Sequence, residues 1–212
     1  MKLLATLFIF FFLSSSLAKM IIVSSTNGSD TSGCGVISLP CRTLEYANSL
    51  SGDNDLIATI GNFVVSETLV LKMNVTLKSF QESSTSTIQC GKALVAIKFV
   101  FQGYIHNFIL TNCKKTAILV QTPNRNQMDV SLSKLVVHNN NQGIFVVGSG
   151  VYLHTVKILD SIIFNNNFGD DNCAGAGICL LDSVVVVNNA KIYNNTCNGN
   201  GSKKKSVHLF QN

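Results

Sequence analysis

Tryptophan is absent from this chain, proline occurs twice, and only eleven of 212 residues carry a carboxylate side chain. Two prolines leave almost every backbone N–H free to donate, so little interrupts a β-ladder. Eleven acids are a poor supply for a calcium site, which draws on about six to eight oxygen ligands. No Cys-x-x-Cys pair occurs and the four histidines lie far from the cysteines, so zinc-ligand spacing is missing too. Beyond residue 18, no apolar run approaches the roughly 20 residues of a membrane-spanning helix. Helix signals are nearly absent after residue 56. The only basic run, Lys203-Lys204-Lys205, has no interleaved aromatics and reads as a solvated loop. The expectation is a chain with no metal, no cofactor and no nucleic-acid partner.

What is present begins with a leader. Lys2 supplies a positive start, Leu3 to Leu13 form an apolar run, and Ser16-Leu17-Ala18 is a small-x-small cleavage site. Residues 1–18 therefore read as a secretory signal peptide, and the remaining 194 residues as a secreted, extracellular chain of one main domain. Seven cysteines outside the cell argue for disulfides. Cys34 and Cys41 are expected to close a short loop. Cys90 and Cys113 lie about one repeat apart and are expected to staple neighbouring turns, contributing roughly 3 kcal/mol by loop-closure entropy. Cys173, Cys179 and Cys197 cannot all pair with each other. Cys173 with Cys197 is the favoured choice, which leaves Cys179 as a buried thiol beside Ile178 and Leu180.

The organising feature is a repeat. FILTNC from Phe108, LVVHNN from Leu135, IIFNNN from Ile162 and AKIYNN from Ala190 align with starts 27, 27 and 28 residues apart. A period held in this way marks a solenoid. The first and third positions are apolar in every block (Phe108/Leu110, Leu135/Val137, Ile162/Phe164, Ala190/Ile192), the alternation of a half-buried strand. The fifth position is an asparagine column, Asn112, Asn139, Asn166 and Asn194; the sixth reads Cys113, Asn140, Asn167 and Asn195. Asparagine tolerates the left-handed turn conformation, and amides stacked in register can hydrogen-bond as a ladder. Alternation alone does not say which column points inward. Val- and Ile-rich runs flank the blocks. The leucine-rich repeat pattern, which Leu132–Asn140 also satisfies, is rejected because a second β-branched run follows where that repeat would place a helix. The expected fold is all-β: a right-handed parallel β-helix of about six turns over residues 56–212.

Residues 19–55 read as a disulfide loop followed by a capping helix, in which Leu44, Ala47 and Leu50 recur at helical spacing. The segment VSSTNGSDTSGCGVISLPCRTLEYA, with Gly28, Ser29, Asp30, Cys34, Gly35, Pro40, Cys41 and Thr43, resembles the start of secreted pectin-lyase-like β-helix proteins of protists. Phe164–Asn167 and Gly175–Ile178 are similar to the two short elements of polymorphic outer-membrane protein repeats. The resemblance implies a β-helix outside the cell, with adhesion or surface roles in some relatives and no single activity.

Catalytic patterns are thin. GDDNC at 169–173 resembles one element of polygalacturonases, but their other elements are missing, and adjacent Asp170 and Asp171 are more often a solvated turn. Glycosidic hydrolysis needs two carboxylates that flank the bond. Asp129, Asp160 and Asp182 fall in different columns; His106, His138, His154 and His208 share no register, and no Ser/His/Asp spacing stands out. Asn27, Asn74 and Asn200 begin glycosylation sequons, whereas Asn194, in the asparagine column, is expected to stay bare. The final SVHLFQN shows no cap, so self-association through that edge is an expectation. The functional expectation is a secreted binding or structural element that engages carbohydrate or matrix protein. The alternatives are a polysaccharide-active enzyme using Asp170 and Asp171, or an inactive truncated paralogue.

Overall fold

The computed structural model describes residues 18–121, 127–148, 154–169 and 175–197, together with the backbone of 209–211. Most of the leader, Asp170, Asp171, Cys173, Asn200 and the 203–205 lysines lie outside those residues. Strand β1 (Met20–Ser24) precedes the helix α1 (Leu44–Leu50). Next come β2 (Leu56–Ile60), β3 (Asn62–Val65) and β4 (Leu69–Leu71), then β5 (Thr76–Ser79), β6 (Ser86–Cys90) and β7 (Val95–Phe99). Longer strands follow: β8 (Gly103–Thr111), β9 (Thr116–Gln121), β10 (Asp129–His138) and β11 (Gln142–Val147). The chain continues through β12 (His154–Leu159), β13 (Ile162–Phe164), β14 (Asn167–Phe168) and β15 (Ile178–Leu181). It closes with β16 (Ser183–Asn188), β17 (Lys191–Tyr193), β18 (Thr196–Cys197) and β19 (Leu209–Gln211).

The structure is all-β with one helix among the described residues, and every named strand pair is parallel. The largest sheet runs β1-β2-β5-β8-β10-β12-β16-β19, with β3, β6, β13 and β17 attached; a second runs β15-β11-β9-β7-β4. Side chains alternate across each strand, so like meets like in the core. Ile57, Leu77, Ile105, Leu132 and Ile158 hold successive register positions and all are fully buried. Leu110, Val137 and Ile163 form a second buried column, and Ile97, Ile118 and Ile144 a third. Each such side chain stabilises the fold by about 1.5–3 kcal/mol.

The sheet begins ahead of the boundary read at residue 56, because β1 pairs in register with β2. Thr43 Oγ1 caps α1 by accepting from the Tyr46 N–H at 3.2 Å. Asp30 holds Thr43 in turn, accepting from its N–H and hydroxyl at 3.0 and 2.7 Å. Gly28 is required here: a Cβ would stand 2.1 Å from the Cys41 carbonyl oxygen. Leu44 and Ala47 of the helix are buried against the sheet, but Leu50 is 37% exposed and takes no part in closing the core. Seven residues make barely two turns, so the last apolar position falls past the contact. Disulfides join Cys34 to Cys41 and Cys90 to Cys113. Cys197 is disulfide-bonded, and Cys179 is buried.

The repeat slips by one residue at its third block. Val137 pairs with Leu110 and with Ile163, and Ile163 with Ile192, which gives spacings of 27, 26 and 29. Ile163 is therefore buried, while Ile162 and Phe164, expected to face the core, are half-exposed. A one-residue shift turns every side chain of a strand to the other face. Ser161 takes the leading position of the block, buried, accepting from the Leu135 N–H at 3.1 Å and donating to the Leu159 carbonyl at 2.6 Å. Asn166 consequently leaves the column shared by Asn112, Asn139 and Asn194, and Asn165 replaces it.

One inward histidine ties the core to pH. His154, on β12, is fully buried and neither ring nitrogen has a hydrogen-bond partner. Burial pushes its imidazole below the usual histidine pKa. The unfolded chain therefore takes the proton first, so this contribution is complete above about pH 6.5 and is lost as pH falls below it. His154→Leu should flatten the decline in stability between about pH 6.5 and pH 5, read as the urea midpoint at each pH; an unchanged slope would place the acid sensitivity elsewhere.

Candidate functional site

The asparagine corner is the first candidate. Asn112, Asn139, Asn165 and Asn194 all take positive φ, between 51 and 62°, and turn the chain at the end of their strands. Asparagine bears this conformation more cheaply than other residues with a Cβ, for which it costs about 1–2 kcal/mol. The residue after each turn points inward. Asn140 Nδ2 donates to Asn166 Oδ1 at 3.0 Å, and Asn166 Nδ2 to Asn195 Oδ1 at 2.9 Å. The same oxygens accept from the Asn140 and Asn166 backbone N–H groups, each at 3.1 Å. Asn166 Nδ2 also reaches the carbonyls of Val137 and Phe164. Asn140 Oδ1 accepts from the Cys113 N–H at 2.9 Å, and there the ladder gives way to the Cys90–Cys113 disulfide.

With the inward amides satisfied, the outward ones are free for other work. Asn112, Asn139 and Asn165 are exposed, and none of their carboxamides has a protein hydrogen bond. They line an open groove of about 380 Å³ with Lys114, Asn141 and Asn167. Beside it, one register position back, His138, Phe164 and Tyr193 stack with ring centroids 5.1 and 5.3 Å apart and planes within 18°. Rings stacked in this way cover each other's faces and present edges outward, so they wall the groove and the amides supply its polarity.

The second bend carries a different chemistry. Asn107, Lys134, Asp160 and Asn189 also take positive φ, at 62, 50, 48 and 49°. Asn107 Nδ2 pins the Gln81–Ser84 loop by donating to the carbonyls of Glu82 and Ser84 at 3.3 and 2.9 Å. Beneath that loop, His106 Nε2 lies 2.9 Å from Glu82 Oε2, and His106 Nδ1 lies 2.7 Å from Ser133 Oγ. Tyr104 Oη is 2.7 Å from Ser133 Oγ and 3.0 Å from His106 Nδ1. Lys134 Nζ meets the same Glu82 oxygen at 3.2 Å. Hydrogen bonds from His106 and then Lys134 hold the Glu82 carboxyl below the usual carboxylate range. Sequence spacing brought out neither this cluster nor the second turn column. His106 and Ser133 stand one period apart, which is a usable signal, but Glu82 arrives from a loop outside the period.

Of the glycosylation candidates, Asn27 is exposed. Asn74 is half-buried, with Nδ2 donating to Asn54 Oδ1 at 2.8 Å. Asn194 is exposed rather than turn-bound inside the corner, because Asn195 is the inward residue; the reason for expecting it to stay bare does not hold. Asp160 pairs with Asn189 at 2.7 Å. Among the described residues no group of three or more His, Cys, Asp or Glu is placed to hold a metal ion, and no helix is long and apolar enough to cross a membrane.

The two asparagine columns should respond oppositely to mutation. Asn166→Ala strands carbonyls and N–H groups in the core and should cost about 3 kcal/mol. Asn139→Gly keeps the left-handed turn and should change stability by less than about 0.5 kcal/mol. Urea unfolding of both variants measures this; equal effects would show that the columns are not divided between core and surface. No family model, no curated protein and no solved structure matches the chain.

Proposed function

We propose that the chain is a secreted right-handed parallel β-helix of about six turns, related to the pectin-lyase-like proteins, that binds carbohydrate along its asparagine corner. Three features support the architecture: parallel pairing at a near-constant spacing, turns at two left-handed columns, and apolar columns that continue from strand to strand. The disulfides at Cys34–Cys41 and Cys90–Cys113 suit an oxidising compartment. The binding reading rests on one observation, the open groove with unpartnered amides of Asn112, Asn139 and Asn165 repeated along it.

Each carboxamide both donates and accepts, which is what a polyhydroxylated ligand requires. Repetition at the strand spacing of about 4.8 Å offers a row of equivalent contacts, so a polymer with repeated hydroxyls gains from several weak bonds at once. Lys114 adds one cation, which tilts the preference toward neutral or mildly acidic glycans.

A glycan array probed with the full chain tests this. Binding to neutral or uronate-containing polysaccharides is expected. It should weaken at least tenfold in an Asn112→Gly/Asn139→Gly/Asn165→Gly variant, which keeps the turns and removes the amides. Undiminished binding by that variant would exclude the groove as the site.

A further inference from the structure

The cluster at the second bend lines no part of the asparagine groove, and it brings a serine hydroxyl, an imidazole and a carboxylate into one hydrogen-bonded chain. Ser133 and His106 are direct register partners on β10 and β8, so the sheet itself sets their separation. Both project from the outer face yet retain only 5 and 9% of their exposure. Ionised Glu82 can only accept, so in the neutral imidazole of His106 the proton sits at Nε2 and Nδ1 carries the lone pair. That lone pair faces two hydroxyls, Ser133 Oγ at 2.7 Å and Tyr104 Oη at 3.0 Å. Lys134 completes the arrangement from a left-handed backbone with φ of 50°, which costs a lysine about 1 kcal/mol or more. From there its ammonium reaches Glu82.

We propose that Ser133 is a nucleophile, His106 its general base and Tyr104 an oxyanion donor, with Glu82 as a positioning residue, and that the site cleaves small carboxylic esters. Ser133 Oγ bonds to the acyl carbon while its proton passes to His106 Nδ1. The carbonyl electron pair moves onto oxygen, where the Tyr104 hydroxyl donates to it. Collapse breaks the bond to the alkoxy oxygen, which takes the proton from His106 and departs as the alcohol. Water then attacks the acyl-serine by the same proton route, and the carboxylic acid is released. A single donor at the oxyanion is weaker than a pair of backbone N–H groups, and loss of one donor costs about 10²–10³ in rate. That restricts the site to esters, whose alkoxide leaves more readily than an amine. The slight exposure of Ser133 restricts it to short acyl groups.

Full-length protein treated with a fluorophosphonate probe, with labelled peptides mapped by mass spectrometry, tests this apart from any glycan ligand. One label per chain is expected, on Ser133. Ser133→Ala should take no label and lose at least 100-fold in hydrolysis of p-nitrophenyl acetate. Its circular dichroism should be unchanged, since Tyr104 and His106 remain bonded to each other. Glu82→Gln should slow labelling about 10- to 100-fold with the same amount of folded protein, and Glu82→Asp should recover part of the rate. An unlabelled native chain, or a label on any other residue, overturns the proposal. Native-speed labelling of Glu82→Gln removes Glu82 from it.

Discussion

Parallel pairing of each strand with its counterpart one repeat later is the constraint from which the rest follows. It places identical backbone positions about 4.8 Å apart, so whatever turns inward at one level must tolerate a near copy above and below. Aliphatic side chains meet that demand without direction, as the Ile57-to-Ile158 column does. An amide meets it only if donor and acceptor point along the stack. Asn140, Asn166 and Asn195 do so: the Asn166 and Asn195 oxygens each take a side-chain and a backbone proton from the level before, and the Asn140 oxygen takes the Cys113 N–H. A buried amide that missed this geometry would be a net cost.

The same constraint produces the surface. Because the backbone N–H and carbonyl groups are spent between levels, outward side chains are released from structural duty and recur as columns. At one bend the column is neutral amides beside stacked rings. At the other it mixes Asn107, Lys134, Asp160 and Asn189, and the loop it pins carries Glu82 over His106. Two bends of like backbone therefore carry unlike chemistry, one a row of neutral amides and the other a cluster of ionisable and hydroxyl groups. The scaffold needs only the left-handed φ at these positions, which leaves the choice of side chain open to function.

Much of this was legible in the residues. The period near 27, the strand alternation, the pairs Cys34/Cys41 and Cys90/Cys113 and the helix after Arg42 all rest on local pattern or on spacing. The offset at the third block was not legible, since Ile162, Ile163 and Phe164 are all apolar and satisfy either register. The tie is broken by Ser161, which is buried only because its hydroxyl finds the Leu135 N–H and the Leu159 carbonyl. The turn column at the second bend was hidden by Lys134, a residue no turn rule favours, and the His106 cluster by the irregular position of Glu82.

The amino-acid sequence by itself settled the kind of backbone: short β-branched runs, few prolines and asparagine turns at a steady interval leave parallel strands as the consistent outcome. Which asparagine of each pair enters the core, and which side chains meet across 24 or 27 residues, was decided only in the folded chain. The reason is that a strand's pattern repeats every two residues and is blind to a shift of one. Only contacts between levels, in which a hydroxyl or an amide either finds its partner or is left buried without one, distinguish the two registers.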